Sequence, residues 1–247
     1  MLQNKLNIAI AGATGFVGLD LVFYLSKHPN VKISYLCAQK NIGSSIIKFD
    51  KRIKKKLPKI SNLKNINWKI VDLLYLSLPN GEAQKITRKL FKYKHLKFID
   101  LSADFRIENS KEYRKWYFLN HNAKDLIKKS IYSIPEFTKE KIKKFRIIAN
   151  PGCYPTSIQL VLLPLLKKSL INSNNVTIDS KSGYSGAGKN FRLKFKHKNF
   201  YESIFAYGIE KHRHMSELDQ EFKKCSKEIV KYTFNPHLLP TFRGILS

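Results

Sequence analysis

Near the start of the chain a short apolar run, Leu6-Asn-Ile-Ala-Ile-Ala, passes directly into a glycine-rich turn, GATGFVG at 12–18, and then into the helical pattern Leu19-Asp-Leu-Val-Phe-Tyr-Leu. Strand, glycine turn and helix in that order form the unit that cradles phosphate in dinucleotide-binding folds. Glycines permit the tight turn and let the backbone approach a pyrophosphate, which rests on the positive end of the helix. The bland alternative is a βα turn whose glycines serve packing alone. The spacing is GxxGxxG, not GxGxxG, a variant associated with NADP-using enzymes. The next strand, around Lys32–Ala38, ends at Ala38-Gln39-Lys40 without the acidic residue that holds a ribose 2′-hydroxyl, and Lys40 suits a 2′-phosphate instead.

Further apolar runs follow at Trp68–Asp72, Leu73–Leu78, Lys97–Leu101 and Phe145–Ala149, separated by helical patterns and, from about Lys48 to Lys64, by a basic helix or loop insertion. Strands alternating with helices predict an α/β fold, a Rossmann-type doubly wound parallel sheet covered on both faces. Ligands of such sheets gather at the carboxyl ends of the strands, where Gly12, Leu78, Ser102 and Cys153 are all expected.

The second informative stretch is Asn150-Pro-Gly-Cys153-Tyr-Pro-Thr156, between a β-branched run and the leucine-rich helical segment that begins near Ile158. A thiol there sits at a helix N-terminus, where the unpaired N–H groups and the macrodipole favour the nucleophilic thiolate. Taken alone, Cys153 is as well explained as a small buried hydrophobe. Beyond it the pattern changes. A strand from Asn175 runs to Gly183, and a glycine loop, Ser185-Gly-Ala-Gly-Lys189, follows. The basic segment Lys211-His-Arg-His214, a helix from about Ser216 to Cys225 and the run Lys231–Pro240 come next. This predicts a dinucleotide-binding domain at 1–152 and a mixed α+β catalytic and substrate domain at 153–247.

Composition excludes more than it identifies. Three cysteines, Cys37, Cys153 and Cys225, are odd in number and widely spaced, so neither a disulfide framework nor a metal cluster is expected. No apolar run reaches the ~20 residues of a membrane span, and the N-terminus has no secretory pattern, so a cytoplasmic protein is expected. The formal charge of +28 is spread along the chain rather than gathered on one motif. Nucleic acid is therefore not expected as the main partner, and attraction of phosphorylated small molecules is the milder consequence.

The motifs GATGFVG (12–18), DLSADFR (100–106), YSIPE (132–136), NPGCYPT (150–156), SGAGK (185–189), HRHMSEL (212–218) and PHLLPTFRGIL (236–246) together resemble N-acetyl-gamma-glutamyl-phosphate reductase, a semialdehyde dehydrogenase of arginine biosynthesis. The resemblance implies NADPH-dependent reduction of N-acetylglutamyl 5-phosphate through a thioester on Cys153, with His212 as general acid–base; without it His214 is an equal candidate. It implies cofactor contacts from Gly12, Thr14, Gly15, Phe16, Val17, Lys40, Ser77, Pro79, Ser185 and Gly186. Arg106, Lys189, Arg213 and Arg243 become candidates for the substrate's carboxylate and phosphate. A homo-oligomer is also implied.

Three departures stand out. Asn80 replaces a histidine, Lys189 replaces an arginine, and the family's C-terminal DNLxKGAAGQAxQN-like motif has no match, so the second domain is expected to be incomplete. An inactive remnant acting as a basic binding protein, and a sibling enzyme using aspartyl phosphate, are the alternatives.

Overall fold

The computed structural model describes residues 5–189 and 200–247. The chain divides into two compact units, one within Met1–Ser110 and Leu119–Asn150, the other within Lys111–Phe118 and Pro151–Ser247.

The first unit is built on a seven-stranded sheet: β1 (Leu6–Ala11), β2 (Val31–Cys37), β3 (Ile60–Ser61), β4 (Leu73–Leu76), β5 (Lys97–Asp100), β6 (Ser130–Tyr132) and β7 (Ile147–Ala149). Its order is β3-β2-β1-β4-β5-β7-β6, and every pairing is parallel. Helix α1 (Phe16–Leu25) follows β1 and α2 (Glu82–Leu90) follows β4. Helix α3 (Ser110–Tyr117) lies almost wholly in the second unit, while α4 (Lys124–Ile127) and α5 (Pro135–Ile142) return to the first.

The four consecutive buried apolar residues of β1, Ile8–Ala11, have a simple cause. Ile8 and Ile10 enter one core cluster with Leu19, Val22 and Leu36, while Ala9 and Ala11 enter another with Leu74, Leu76, Leu90 and Phe98. Successive residues point to opposite faces and both faces are covered, as parallel sheets require. Each large side chain fully buried there contributes about 1.5–3 kcal/mol. The doubly wound sheet inferred from the alternation is therefore present.

One local expectation changes. Trp68–Ile70 is a single 3-10 turn rather than strand, because the Asn67 side chain accepts the Lys69 N–H at 3.2 Å and diverts the backbone before β4 begins. The basic insertion is largely irregular, with short turns at Ile46–Lys48 and Leu63–Asn65 around β3. Within it, Arg52 is held by Asp20 at 2.6 Å and Asp50 at 2.6 Å, over the ring of Phe23.

In the second unit, helix α6 (Cys153–Lys167) and helix α7 (Met215–Cys225) pack with a four-stranded sheet of β8 (Val176–Gly183), β9 (Phe205–Ala206), β10 (Tyr232–Leu239) and β11 (Ile245–Leu246). The order is β11-β8-β10-β9. The central β8–β10 pair is parallel over its full length, Val176 opposite Tyr232 through Gly183 opposite Leu239, and the flanking strands are antiparallel. Tyr154, Ile158 and Leu166 of α6, Leu218 and Phe222 of α7, and Ile178 and Phe234 of the sheet form its core. No helix among the described residues is long and apolar enough to cross a membrane.

Candidate active site

At the end of β1 the Gly12 N–H donates to the Cys37 carbonyl at 2.9 Å, and the Gly12 carbonyl accepts the Gly15 N–H at 3.0 Å, closing the turn. Gly12 has φ +79°, and a Cβ there falls 1.9 Å from the Ser77 carbonyl oxygen. A Cβ on Gly18 falls 2.1 Å from the Gly12 carbonyl oxygen, so these two glycines are demanded by close backbone approach. Gly15 differs: it is the N-cap of α1, and the nearest atom to its Cβ position is the Gly12 oxygen at 3.4 Å. Thr14 and Phe16 are half-buried, Val17 is exposed, and Ser77 donates its N–H to Ala11 at 2.9 Å beside the turn. Lys40 is exposed just beyond β2, and Pro79 is exposed beyond β4.

The loop carrying Pro79 is clasped by the segment after β5. Buried Asp104 accepts the Gly81 N–H at 2.7 Å and the Gln84 N–H at 2.9 Å, capping α2. Asn80 accepts the Ala103 N–H at 3.1 Å, a use that the sequence alone did not reveal. Burial, with Asp104 close by, pushes the Asp100 carboxyl up to about 6. Arg106 is also buried: its guanidinium donates to the carbonyls of Asn150 at 2.7 Å and Leu101 at 2.8 Å.

In the second unit Cys153 is the first residue of α6 and is exposed, whereas Cys37 is buried and Cys225 half-buried. Burial pushes the Cys37 thiol up to about 11 and raises that of Cys225 as well. Next to Cys153, buried Tyr154 accepts a hydrogen bond from the Tyr207 hydroxyl at 3.1 Å and donates to the His237 carbonyl at 3.2 Å. Both tyrosines feel the charge of Cys153, and burial raises both hydroxyl pKa values.

The same two rings pack on His212, Tyr154 at 5.4 Å and Tyr207 at 5.6 Å between centroids, with His214 at 4.8 Å and Phe234 at 5.5 Å completing an aromatic box. Desolvation in this box, aided by Arg213, lowers the His212 pKa to about 4, so the ring is neutral at physiological pH. Its Nδ1 accepts the His214 N–H at 3.2 Å, which leaves the proton of the neutral ring on Nε2.

Gly152, the N-cap of α6, donates its N–H to the fully buried Glu217 carboxylate at 2.8 Å. His214 crowds the same spot: a Cβ on Gly152 falls 2.6 Å from His214 Nε2 and 2.8 Å from Glu217 Oε1. Glu217 thus belongs to the site although sequence reasoning passed over it. An acid three residues past a helix start reads as an ordinary cap. Arg213 is exposed, with its guanidinium 5.9 Å from the Tyr117 ring. Ser185 and Gly186 lie in a 3-10 turn at Tyr184–Ala187, where the Ser185 N–H is bound by the Phe242 carbonyl at 2.9 Å. Lys189 and Arg243 are exposed.

Two family models match the chain: the semialdehyde dehydrogenase NAD binding domain over residues 7–145 and the semialdehyde dehydrogenase dimerisation domain over 153–247. An N-acetyl-gamma-glutamyl-phosphate reductase of Afipia carboxidovorans is 40% identical over 250 residues, covering 100% of this chain and 71% of that protein. The chain belongs to the semialdehyde dehydrogenase family, in its N-acetyl-gamma-glutamyl-phosphate reductase branch. The reductase of Ehrlichia ruminantium strain Gardel is 42% identical, again covering 100% and 71%. A probable chloroplastic reductase of Arabidopsis thaliana is 39% identical over 99% of this chain, which spans 61% of that relative's length.

Among solved semialdehyde dehydrogenases, aspartate semialdehyde dehydrogenase II of Vibrio cholerae superposes with TM-score 0.68 at 18% identity, over 98% of this chain and 72% of that one. The Candida albicans enzyme solved with NADP gives TM-score 0.59 at 16% identity over 98% and 70%. These likenesses establish the family fold.

Proposed function

We propose that the chain reduces N-acetylglutamyl 5-phosphate to N-acetylglutamate 5-semialdehyde and phosphate with NADPH, a step of arginine biosynthesis. The observation that carries this reading is the exposed Cys153 thiol at the first position of α6, electrostatically coupled to the two tyrosines that enclose neutral His212. The thiolate attacks the acyl carbon, the C–S bond forms, the C–O bond to phosphate breaks, and phosphate leaves with a proton from water. When bound, NADPH supplies the hydride that takes the thioester to the thiohemiacetal level. The Cys153 N–H and His212 Nε2–H are the donors this chain would offer to the thiohemiacetal oxygen, whose collapse to the aldehyde would return the thiolate. His212, whose Nδ1 accepts the backbone N–H of His214, acts as the donor in this sequence. It takes the thiol proton only if that bond is released.

The glycine turn fits a dinucleotide pyrophosphate. Its carbonyl-side contacts leave no room for side chains at Gly12 and Gly18, while the space around Gly15 at the α1 N-terminus is open. Gly12, Thr14, Gly15, Phe16 and Val17 would hold the phosphates, Lys40 the 2′-phosphate that distinguishes NADP, and Ser77, Pro79, Ser185 and Gly186 the nicotinamide end. Arg213 and Lys189 would bind the substrate's anionic groups. For Arg106 we propose a framework role, since its donors hold the carbonyls of Leu101 and Asn150. The match to a dimerisation domain supports self-association through 153–247. A cytosolic location fits this cofactor and substrate.

The test is NADPH formation from N-acetylglutamate semialdehyde, phosphate and NADP. Cys153→Ser is expected to lose at least about 1000-fold in rate, as loss of a covalent nucleophile does, and Cys225→Ser to retain full rate. Equal losses in the two variants would overturn the assignment of the nucleophile.

A further inference from the structure

Helix α7 opens with His214 as its N-cap, without a side-chain cap, and places Glu217 in its first turn. A glutamate there ordinarily bends back to cap its own helix. Here the carboxylate instead accepts the N–H of Gly152, the residue on which α6 and its first side chain, Cys153, begin. The backbone carbonyl of the same Glu217 accepts the side-chain amide of buried Gln159 at 3.3 Å, nearly two turns further along α6. One residue therefore ties the nucleophile helix to the start of the histidine-bearing helix twice, at Gly152 by its side chain and at Gln159 by its backbone.

The Glu217 side chain is fully buried, so its polar atoms depend on partners within the protein. His214 Nε2 lies 4.0 Å from its Oε1, and the crowding leaves space for nothing larger than glycine at 152. A buried side chain bonded to the backbone of the residue before the nucleophile, with His214 packed against the same spot, calls for a reason beyond packing. We propose that Glu217 is a positioning residue, whose bond to the Gly152 N–H fixes the direction of the Cys153 thiol relative to the His212–His214 segment. It holds the turn from which the sulfur projects, and angular tolerance for such a group is only about 10–20°. The inference rests on the proposed role of Cys153 as nucleophile.

Two readouts separate the claims: turnover as above, and alkylation of Cys153 by iodoacetamide followed by mass spectrometry across pH, which needs no cofactor or substrate. Glu217→Gln keeps an oxygen acceptor for Gly152 and is expected to stay within about threefold of wild type in both, whereas Glu217→Ala is expected to lose about 100-fold in kcat, the scale of a 1 Å misplacement. KM for NADP is expected to remain within about twofold in both variants, since uniform binding is untouched. The alanine variant is also expected to shift the pH profile of alkylation.

Where the alanine protein does not fold, Glu217→Asp, one methylene too short to reach, takes its place with an expected loss of about tenfold or more. The proposal is overturned by a folded alanine or aspartate variant with wild-type turnover and alkylation. It is equally overturned by a glutamine variant as impaired as alanine. An inactive wild type defeats the functional reading alone, because the alkylation series still judges Glu217.

Discussion

Two helices in this chain begin alike and end up with different uses for the same local physics. Gly15 caps α1 with φ −70° and ψ 166°, and Gly152 caps α6 with φ −64° and ψ 161°; neither position offers a side-chain cap. Both helix starts are electropositive and favour an anion. Around Gly15 the nearest atom to an added Cβ is a backbone oxygen at 3.4 Å, whereas around Gly152 an imidazole and a buried carboxylate already fill the space. On the reading proposed above, the first start would take a diffusible anion, whereas at the second the chain's own Glu217 side chain already accepts the free N–H of Gly152.

The contrast can be broken by identical substitutions. Gly152→Ala forces a methyl to within 2.6 Å of His214 Nε2, and turnover is expected to fall about 100-fold or more, as for a 1 Å displacement of the nucleophile. Gly15→Ala meets no such obstacle, so the protein is expected to fold with a loss of about 1 kcal/mol from the poorer cap. Its defect should appear as a raised KM for NADP with little change in kcat. Loss of kcat in both variants, or in neither, would show that the two helix starts are not functionally distinct.

Acid sharpens the comparison of the two units. His212 titrates at about 4 in the folded chain, below its ordinary 6.5, so the unfolded chain binds more protons between these values and stability falls as pH drops through that window. The full difference amounts to about 3 kcal/mol. Asp100, raised to about 6 by burial first and Asp104 second, acts oppositely: its contribution is present at low pH and is lost as pH rises through 6. Urea denaturation of His212→Asn from pH 7.5 to 4.5 is expected to lose less stability than wild type, and Asp100→Asn to lose more. Parallel curves for all three proteins would remove both attributions.

The smallest effect concerns the clasp over the Pro79 loop. Asn80→Ala removes an acceptor from the Ala103 N–H and is expected to cost about 1 kcal/mol, seen as a lower urea midpoint at unchanged m-value.

Much of this was legible in residues 6–25 and 150–158, because the physics there is local. A strand that must be covered on two faces shows as consecutive apolar residues, and a backbone that must pass another backbone shows as glycine. Trp68–Ile70 misled because an Asn side chain one residue upstream outcompeted the strand preference of Trp, Ile and Val. Glu217 was invisible for a different reason. Its partner Gly152 lies 65 residues away in sequence, so nothing near it distinguishes a buried tether from a helix cap. Arg106 suits anions by its type, and only the fold shows that it also donates to two backbone carbonyls.

The parallel pairing of β8 with β10 also has a consequence in time. The two strands meet along their whole length, yet β10 begins at Tyr232 and β8 ends at Gly183. A ribosome adding about 5–20 residues per second leaves the emerged β8 without its main partner for several seconds. During that interval both of its edges are open to other chains. Its charged residues Asp179 and Lys181, which bond to each other on the finished sheet, then serve as gatekeepers against pairing with a neighbouring nascent chain.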